Sequence, residues 1–219
     1  MRKKINPSEI RKIRHFLSKS DINKILKEIH YKIFKNIDSK NKKYHFSHKK
    51  FQKDYLGFRK NNKWPQIYDS FKNLKTLKKI VIPKIFKISK EYSNNKVKIL
   101  SKGVRIIAKN DKRNYPMHQE FVGVNKKNFF VFWIALHSIP KSSGGLIVSK
   151  NFKNKPYNHF INKLGYPILK NQNLWKKKVA EITFKTGDLL VLGKYVPHST
   201  AKKTKGLPRW ACIIRAAYL

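Results

Sequence analysis

The period of the apolar positions changes once along this chain, from a helical repeat to an alternating one. From Ser20-Asp21 onward, Ile22, Ile25, Leu26, Ile29, Ile33, Phe34 and Ile37 fall at offsets 0, 3, 4, 7, 11, 12 and 15, the stripe of a helix with one face against something apolar. Asn6-Pro7-Ser8-Glu9 offers a cap, a proline suited to a first helical position and an early acid, and so predicts a helix start there too. Trp64-Pro65 opens another helical stretch through Ile67, Phe71, Leu74, Leu77, Val81, Ile85 and Ile88 to about Tyr92, with Pro83 placed to kink or divide it. Residues 38 to 63 are polar and rich in Lys and Asn, with scattered aromatics, and predict a surface segment without a defined element.

After Asn94-Asn95 the chain turns to short β-rich runs: 97–100, 104–108, 129–136, 146–148, 179–184, 188–192 and 209–218. Ser142-Ser143-Gly144-Gly145 and Thr186-Gly187-Asp188 supply turn chemistry between them. Strand after strand with no helical repeat between predicts an antiparallel sandwich or barrel preceded by helices. At 219 residues the chain fits a single domain, 1–219, with 1–95 mainly helical and packed on a β core formed by 96–219.

Charge changes this picture less than its size suggests. There are 52 Lys and Arg against 11 Asp and Glu, a formal +41, which raises nucleic acid as a partner. The basic residues are spread over the whole chain, however, and Lys outnumbers Arg several-fold. Nucleic-acid readers lean on the arginine fork, so the excess reads as a solvated surface, and nucleic acid is not the expected partner. The lone Cys212 excludes an internal disulfide and a thiolate zinc site. No run approaches the ~20 apolar residues of a membrane span, so a cytoplasmic protein is expected.

Candidate chemistry sits in the β region. In His118-Gln119-Glu120 the His and Glu are two apart and would share a strand face, able to chelate one ion. His198 follows Leu189-Leu190-Val191-Leu192 and Pro197, at the end of a later strand. Two imidazoles and a carboxylate on one face of an octahedron leave three positions open, the non-haem iron(II) arrangement, whereas zinc favours a tetrahedron. With eight histidines in the chain, such a pair plus a distant His also arises by chance.

The surroundings are more specific. Tyr115-Pro116-Met117-His118-Gln119-Glu120, Phe132-Trp133-Ile134-Ala135-Leu136, Gly144-Gly145-Leu146-Ile147-Val148, Gly187-Asp188-Leu189-Leu190-Val191-Leu192, His198-Ser199-Thr200 and Pro208-Arg209 occur in this order. Together they resemble the phytanoyl-CoA dioxygenase family of iron(II)- and 2-oxoglutarate-dependent oxygenases, well over about 97–219 and loosely before. The resemblance implies a mostly β fold with N-terminal helices: a double-stranded β-helix (jelly-roll or cupin-like) core braced by α-helices. It also implies Fe(II) held by His118, Glu120 and His198, and 2-oxoglutarate as co-substrate with its far carboxylate on Arg209, eleven residues after the distal histidine. Trp133 then stands beside the co-substrate, though a large aromatic in an apolar run is equally a core residue. Ascorbate would serve to keep the iron ferrous, and the substrate would be a small or lipid-like molecule that is hydroxylated.

The chain departs from the family pattern in carrying Glu120 where Asp is usual, and in continuing Ser149-Lys150-Asn151-Phe152 where a Ser-His pair commonly stands. Three alternatives follow: a basic nucleic-acid-binding module, a nucleic-acid-modifying oxygenase of the AlkB kind suggested by Arg209 and Arg215, and a catalytically inactive relative. His137 and His159 read as solvent-exposed or core-satisfied residues rather than substrate contacts.

Overall fold

The computed structural model describes residues 9–37, 71–92, 96–107, 116–120, 128–141, 143–150, 152–163, 167–202 and 208–218. The Lys/Asn-rich segment 38–63, the opening Trp64-Pro65 of the second helical stretch and the turn ahead of Pro116 lie outside them.

Five strands form the larger sheet: β1 (Ile10–Ile13), β2 (Val97–Ile107), β3 (Asn128–Ala135), β8 (Leu189–Gly193) and β10 (Arg209–Tyr218), in the order β1-β8-β3-β10-β2. All its pairings are antiparallel. A smaller sheet orders β7 (Val179–Ile182), β4 (Leu146–Ser149) and β9 (His198–Thr200), and β5 (His159–Ile161) pairs with β6 (Pro167–Leu169).

The alternation of side chains along the larger sheet builds two cores. Phe130, Phe132 and Ile134 of β3, Leu189 and Val191 of β8, and Trp210, Cys212 and Ile214 of β10 share one cluster with Ile22, Ile25, Ile29 and Ile33 of α1 (Lys19–Ile37) and Val81, Ile85 and Ile88 around α2 (Ile82–Tyr92). The intervening Phe129, Val131, Trp133, Ala135, Leu190, Leu192 and Ala211 face the smaller sheet's Leu146 and Val148. These strands are apolar on both faces because both faces are covered. Burial in the first cluster pushes the Cys212 thiol up to about 12, so it stays a protonated, unreactive thiol.

Helix α1 begins after Ser18, whose Oγ accepts from Asp21 N–H while the Asp21 carboxylate accepts from Ser18 N–H, a reciprocal capping box. Asn6 to Ser8 lie outside the described residues, and where their cap-like signal predicts a helix Ile10–Ile13 is an edge strand, Ile10 opposite Leu192 and Ile13 opposite Leu189. Cross-strand pairing overrides the local signal, and Arg11 and Lys12 keep the edge charged. Pro83 lies in the first turn of α2, preceded by a π turn over Leu77–Val81 in which Ile82 N–H reaches back to Leu77 O. The wider turn accommodates a residue with no N–H to give. The runs 97–100 and 104–108 join into the single strand β2, continuous through Gly103.

Gly187-Asp188 ties the α1 entry to this sheet. Gly187 has φ +84°, and a Cβ there would meet Leu17 O at 2.3 Å, while Leu17 N–H donates to Gly187 O. Gly187→Ala should therefore destabilise the protein by roughly 3 kcal/mol, combining left-handed strain with a backbone clash, read as a fall in the urea midpoint. Asp188 is buried, and burial alone would raise its pKa. Hydrogen bonds from Lys185 N–H, Lys12 and His15 N–H outweigh this and hold it below the usual value. A depressed carboxylate contributes stability that is present above its unfolded pKa of about 3.9 and is lost as pH falls through the folded value. Asp188→Asn should accordingly be less stable than wild type above about pH 5, with the gap closing towards about pH 2; denaturation midpoints across that range measure it.

Candidate metal centre

Residues eighty positions apart meet through the backbone. His118 N–H donates to His198 O and His198 N–H to His118 O, each at 2.9 Å, an isolated antiparallel bridge. It lays the 116–120 segment alongside β9, whose other neighbour is β4 through Val148 opposite His198. Two details differ from the sequence expectation. His118 lies in a single bridge and not in a strand, and His198 starts its own short strand after the Lys194-Tyr195 turn instead of ending the preceding one.

The two histidines are held in the same way. His118 Nδ1 lies 2.9 Å from Pro116 O and His198 Nδ1 2.9 Å from Val196 O. In each case the carbonyl belongs to the residue two before. A carbonyl only accepts, so each Nδ1 carries the proton and each Nε2 presents its lone pair. Those Nε2 atoms stand 3.7 and 3.6 Å from Glu120 Oε1, the rings 4.4 Å apart between centroids. One ligand atom from each residue lies within 4.8 Å of the others. Donors ~2.2 Å from one ion are at most about 4.4 Å apart, so a bound ion would draw these three slightly closer, and carbonyl-tied imidazoles are the usual preparation of metal-binding histidines. The donor set fits a ferrous ion.

Electrostatics favour the ligating protonation states. Burial, and then the neighbouring His198, lower the His118 pKa to about 4, so protons do not compete for its Nε2 at neutral pH. Burial would raise Glu120, but the charge of Arg215 and its hydrogen bonds hold it well below the usual carboxylate range. Arg215 grips it side-on, Nε to Oε2 at 2.7 Å and Nη2 to Oε1 at 2.9 Å.

Gln119, between His118 and Glu120, is buried, with its backbone N–H, both amide hydrogens and its side-chain oxygen all hydrogen-bonded. Its N–H donates to His159 Nε2, its amide to Lys155 O and Tyr195 O, and its Oε1 accepts from Tyr157 N–H. It fixes the ligand segment to two loops at once. Met117 N–H and O are bracketed by the Gln172 amide at the start of α3 (Gln172–Lys176).

Arg209 and Trp133 line the same cavity as the triad. Arg209 is 1% exposed; its Nη1 donates to Gly144 O at 2.7 Å and its guanidinium carbon lies 5.3 Å from the centre of the Trp133 ring. Trp210 and Cys212, the alternate positions, belong to the helix-side core. Trp133 is a core aromatic, its ring tilted at 36° against Phe184 with centroids 4.4 Å apart, and it also lines the cavity. The Gly144-Gly145 pair has its own reason: Gly144 has φ +81°, and a Cβ on Gly145 would meet Ile182 O at 2.7 Å. Ser199 and Thr200 also line the cavity, whereas the Thr183 carbonyl accepts from Lys12.

His137 and His159 are structural. His137 Nε2 accepts from Trp210 N–H, and His159 takes the Gln119 N–H. Sequence reading missed Arg215 as a contact of Glu120, and Arg105 as a lining residue. The signal for Arg215 was the even spacing of 209, 211, 213 and 215, which puts it on Arg209's face of β10.

The model of the phytanoyl-CoA dioxygenase (PhyH) family matches residues 11–211. The chain belongs to that family. Among solved structures, the apo form of ThoJ, a non-heme monooxygenase, is similar with a TM-score of 0.68 at 10% identity, covering 97% of this chain and 75% of that one. The epimerase SnoN, solved with Fe3+, alpha ketoglutarate and nogalamycin RO, gives 0.63 at 10%, covering 97% and 80%. SnoK, a non-heme alpha ketoglutarate dependent carbocyclase from nogalamycin biosynthesis, gives 0.64 at 12%, with the same coverages. At such identities the likeness concerns the fold, a mostly β, cupin-like one. No curated protein matches the sequence. Among the described residues, no helix is long and apolar enough to cross a membrane.

Proposed function

We propose that this PhyH-family protein is an Fe(II)- and 2-oxoglutarate-dependent dioxygenase that hydroxylates a small molecule. His118, Glu120 and His198 are its iron ligands and Arg209 the anchor of the co-substrate's far carboxylate. The observation that carries this reading is the convergence on one buried cavity of two Nε2 lone pairs, one carboxylate oxygen and a buried guanidinium. A bound ferrous ion would supply the redox chemistry, activating dioxygen at the expense of 2-oxoglutarate.

The chain's own residues supply placement. The twin carbonyl ties hold the imidazoles in their ligating tautomer, and Trp133 and Gly144 O hold the Arg209 guanidinium, whose planar fork suits a carboxylate. Retention of a carboxylate at position 120 favours hydroxylation over halogenation, in which a small residue takes its place. Room inside the cavity is about 30 Å³, so seating the co-substrate requires its wall to give. A single domain in the cytoplasm suits the reading.

The test is succinate formation from 2-oxoglutarate by the full chain with Fe(II) and ascorbate, against a panel of small-molecule substrates. Succinate should form in proportion to enzyme and only with iron. Its absence across the panel, together with no iron-dependent binding of 2-oxoglutarate, would leave the inactive-relative reading instead.

A further inference from the structure

We propose that Arg215 is a positioning residue that confines Glu120 to one-oxygen ligation of the metal; the proposal rests on the metal reading above. The two Glu120 oxygens are not equivalent. Oε1 faces both imidazoles, at 3.7 and 3.6 Å from their Nε2 atoms, while Oε2 is drawn to Arg215 Nε at 2.7 Å. Arg215 Nη2 closes the fork on Oε1 at 2.9 Å, so the planar guanidinium fixes the plane of the carboxylate as well as its position.

The need for such a device follows from the residue at 120. Glutamate is one methylene longer than the family's usual aspartate, and a longer, freely turning carboxylate can take a metal through both oxygens. Three protein ligands, a chelating co-substrate and one open position fill an octahedron. A second oxygen from Glu120 would occupy a position that the co-substrate or dioxygen requires. Engagement of Oε2 by Arg215 removes that option.

The fold aims Arg215 at this task. It lies on the cavity face of β10 with Arg209 and Ile213, and all three line the cavity. Directly after it the β10–β2 register slips: Arg215 pairs with Ser101 and Ala216 with Ile99, so that Leu100 has no opposite residue. Bulges of this kind re-aim neighbouring side chains next to active sites. Arg215 Nη1 also reaches Ser101 Oγ at 3.5 Å.

The experiment loads the full chain with Co(II), whose visible absorption reports coordination number, and titrates 2-oxoglutarate. It compares wild type with Arg215→Gln, Arg215→Lys, Glu120→Asp and the double variant Glu120→Asp/Arg215→Gln. Arg215→Gln should change the Co(II) spectrum before co-substrate is added and raise the half-saturating 2-oxoglutarate about 10- to 100-fold, the range typical of partners one shell beyond a metal. Arg215→Lys keeps the charge but loses the planar fork, and should show a smaller shift in the same direction; it carries the test if the glutamine variant does not fold. With Asp at 120 the carboxylate is too short to need confinement, so adding Arg215→Gln should move the titration less than about twofold. A wild-type spectrum and titration in both Arg215 variants would overturn the proposal. So would an equal loss in the Glu and Asp backgrounds, which would make Arg215 a direct contact of the co-substrate. Failure of the wild type to bind Co(II) would remove the metal reading, and this proposal with it.

Discussion

Replacing His198 by alanine should abolish the rise in melting temperature that Co(II) or Ni(II) produces in the wild-type protein, while leaving the metal-free melting temperature close to wild type. Metal that binds only the folded state stabilises it by RT ln(1 + [L]/Kd), about 2.7 kcal/mol at a hundredfold excess over Kd. The variant keeps the backbone bridge to His118, which needs no side chain, and β9 keeps its pairing to β4. It loses one of the three proposed ligands, and a direct ligand should cost more than the 10- to 100-fold of an outer partner. Two close imidazoles and a buried carboxylate contribute little to the metal-free fold, so the effect should fall on binding. Scanning calorimetry with and without metal measures both quantities. A variant that retained the full metal-dependent shift would exclude His198 as a ligand.

The parts legible in the sequence are those whose signal is local or periodic. β3, β8 and β10 announce themselves because nearly every position, inward or outward, is apolar, Asn128 and the two arginines of β10 excepted, and the helix-side and inter-sheet clusters account for both sets. His118, Glu120 and His198 stood out because family motifs surround them, and the structure brings their ligand atoms within 4.8 Å. What was not legible depends on partners far along the chain. β1 is four residues, visible only through its pairing with β8, and the capping signal at Asn6 to Glu9 pointed the other way. The side-on grip of Arg215 on Glu120 spans 95 positions; the even spacing from Arg209 puts Arg215 on the cavity face but does not name its partner. Gln119 looks like a spacer in the sequence, yet it ties the ligand segment to residues 36 to 76 positions away.

Arg209→Ala should raise the 2-oxoglutarate concentration needed for half-maximal turnover about 10- to 100-fold, with iron affinity nearly unchanged. A charge-assisted hydrogen-bonded contact contributes roughly 1.5 to 3 kcal/mol, and each 1.4 kcal/mol is about tenfold. On the proposed reading the cation serves the co-substrate and not the metal: its Nη1 goes to Gly144 O and its Cζ lies over the Trp133 ring, whereas Glu120 is gripped by Arg215. The two arginines of β10 therefore separate in their effects, although they share one cavity face. Removing Arg209 also leaves Gly144 O without this donor and Trp133 without the cation over its ring, so some stability is lost as well. That loss lowers the amount of folded enzyme without altering the co-substrate dependence of what remains. Titrating 2-oxoglutarate at saturating iron, on protein whose folded fraction has been checked by circular dichroism, separates the two. Arg209→Lys, which keeps a charge but not the fork, should recover part of the loss. An unchanged half-saturating concentration in Arg209→Ala would show that the far carboxylate is held elsewhere. Arg105, which lines the same cavity from β2, would then be the next residue to replace.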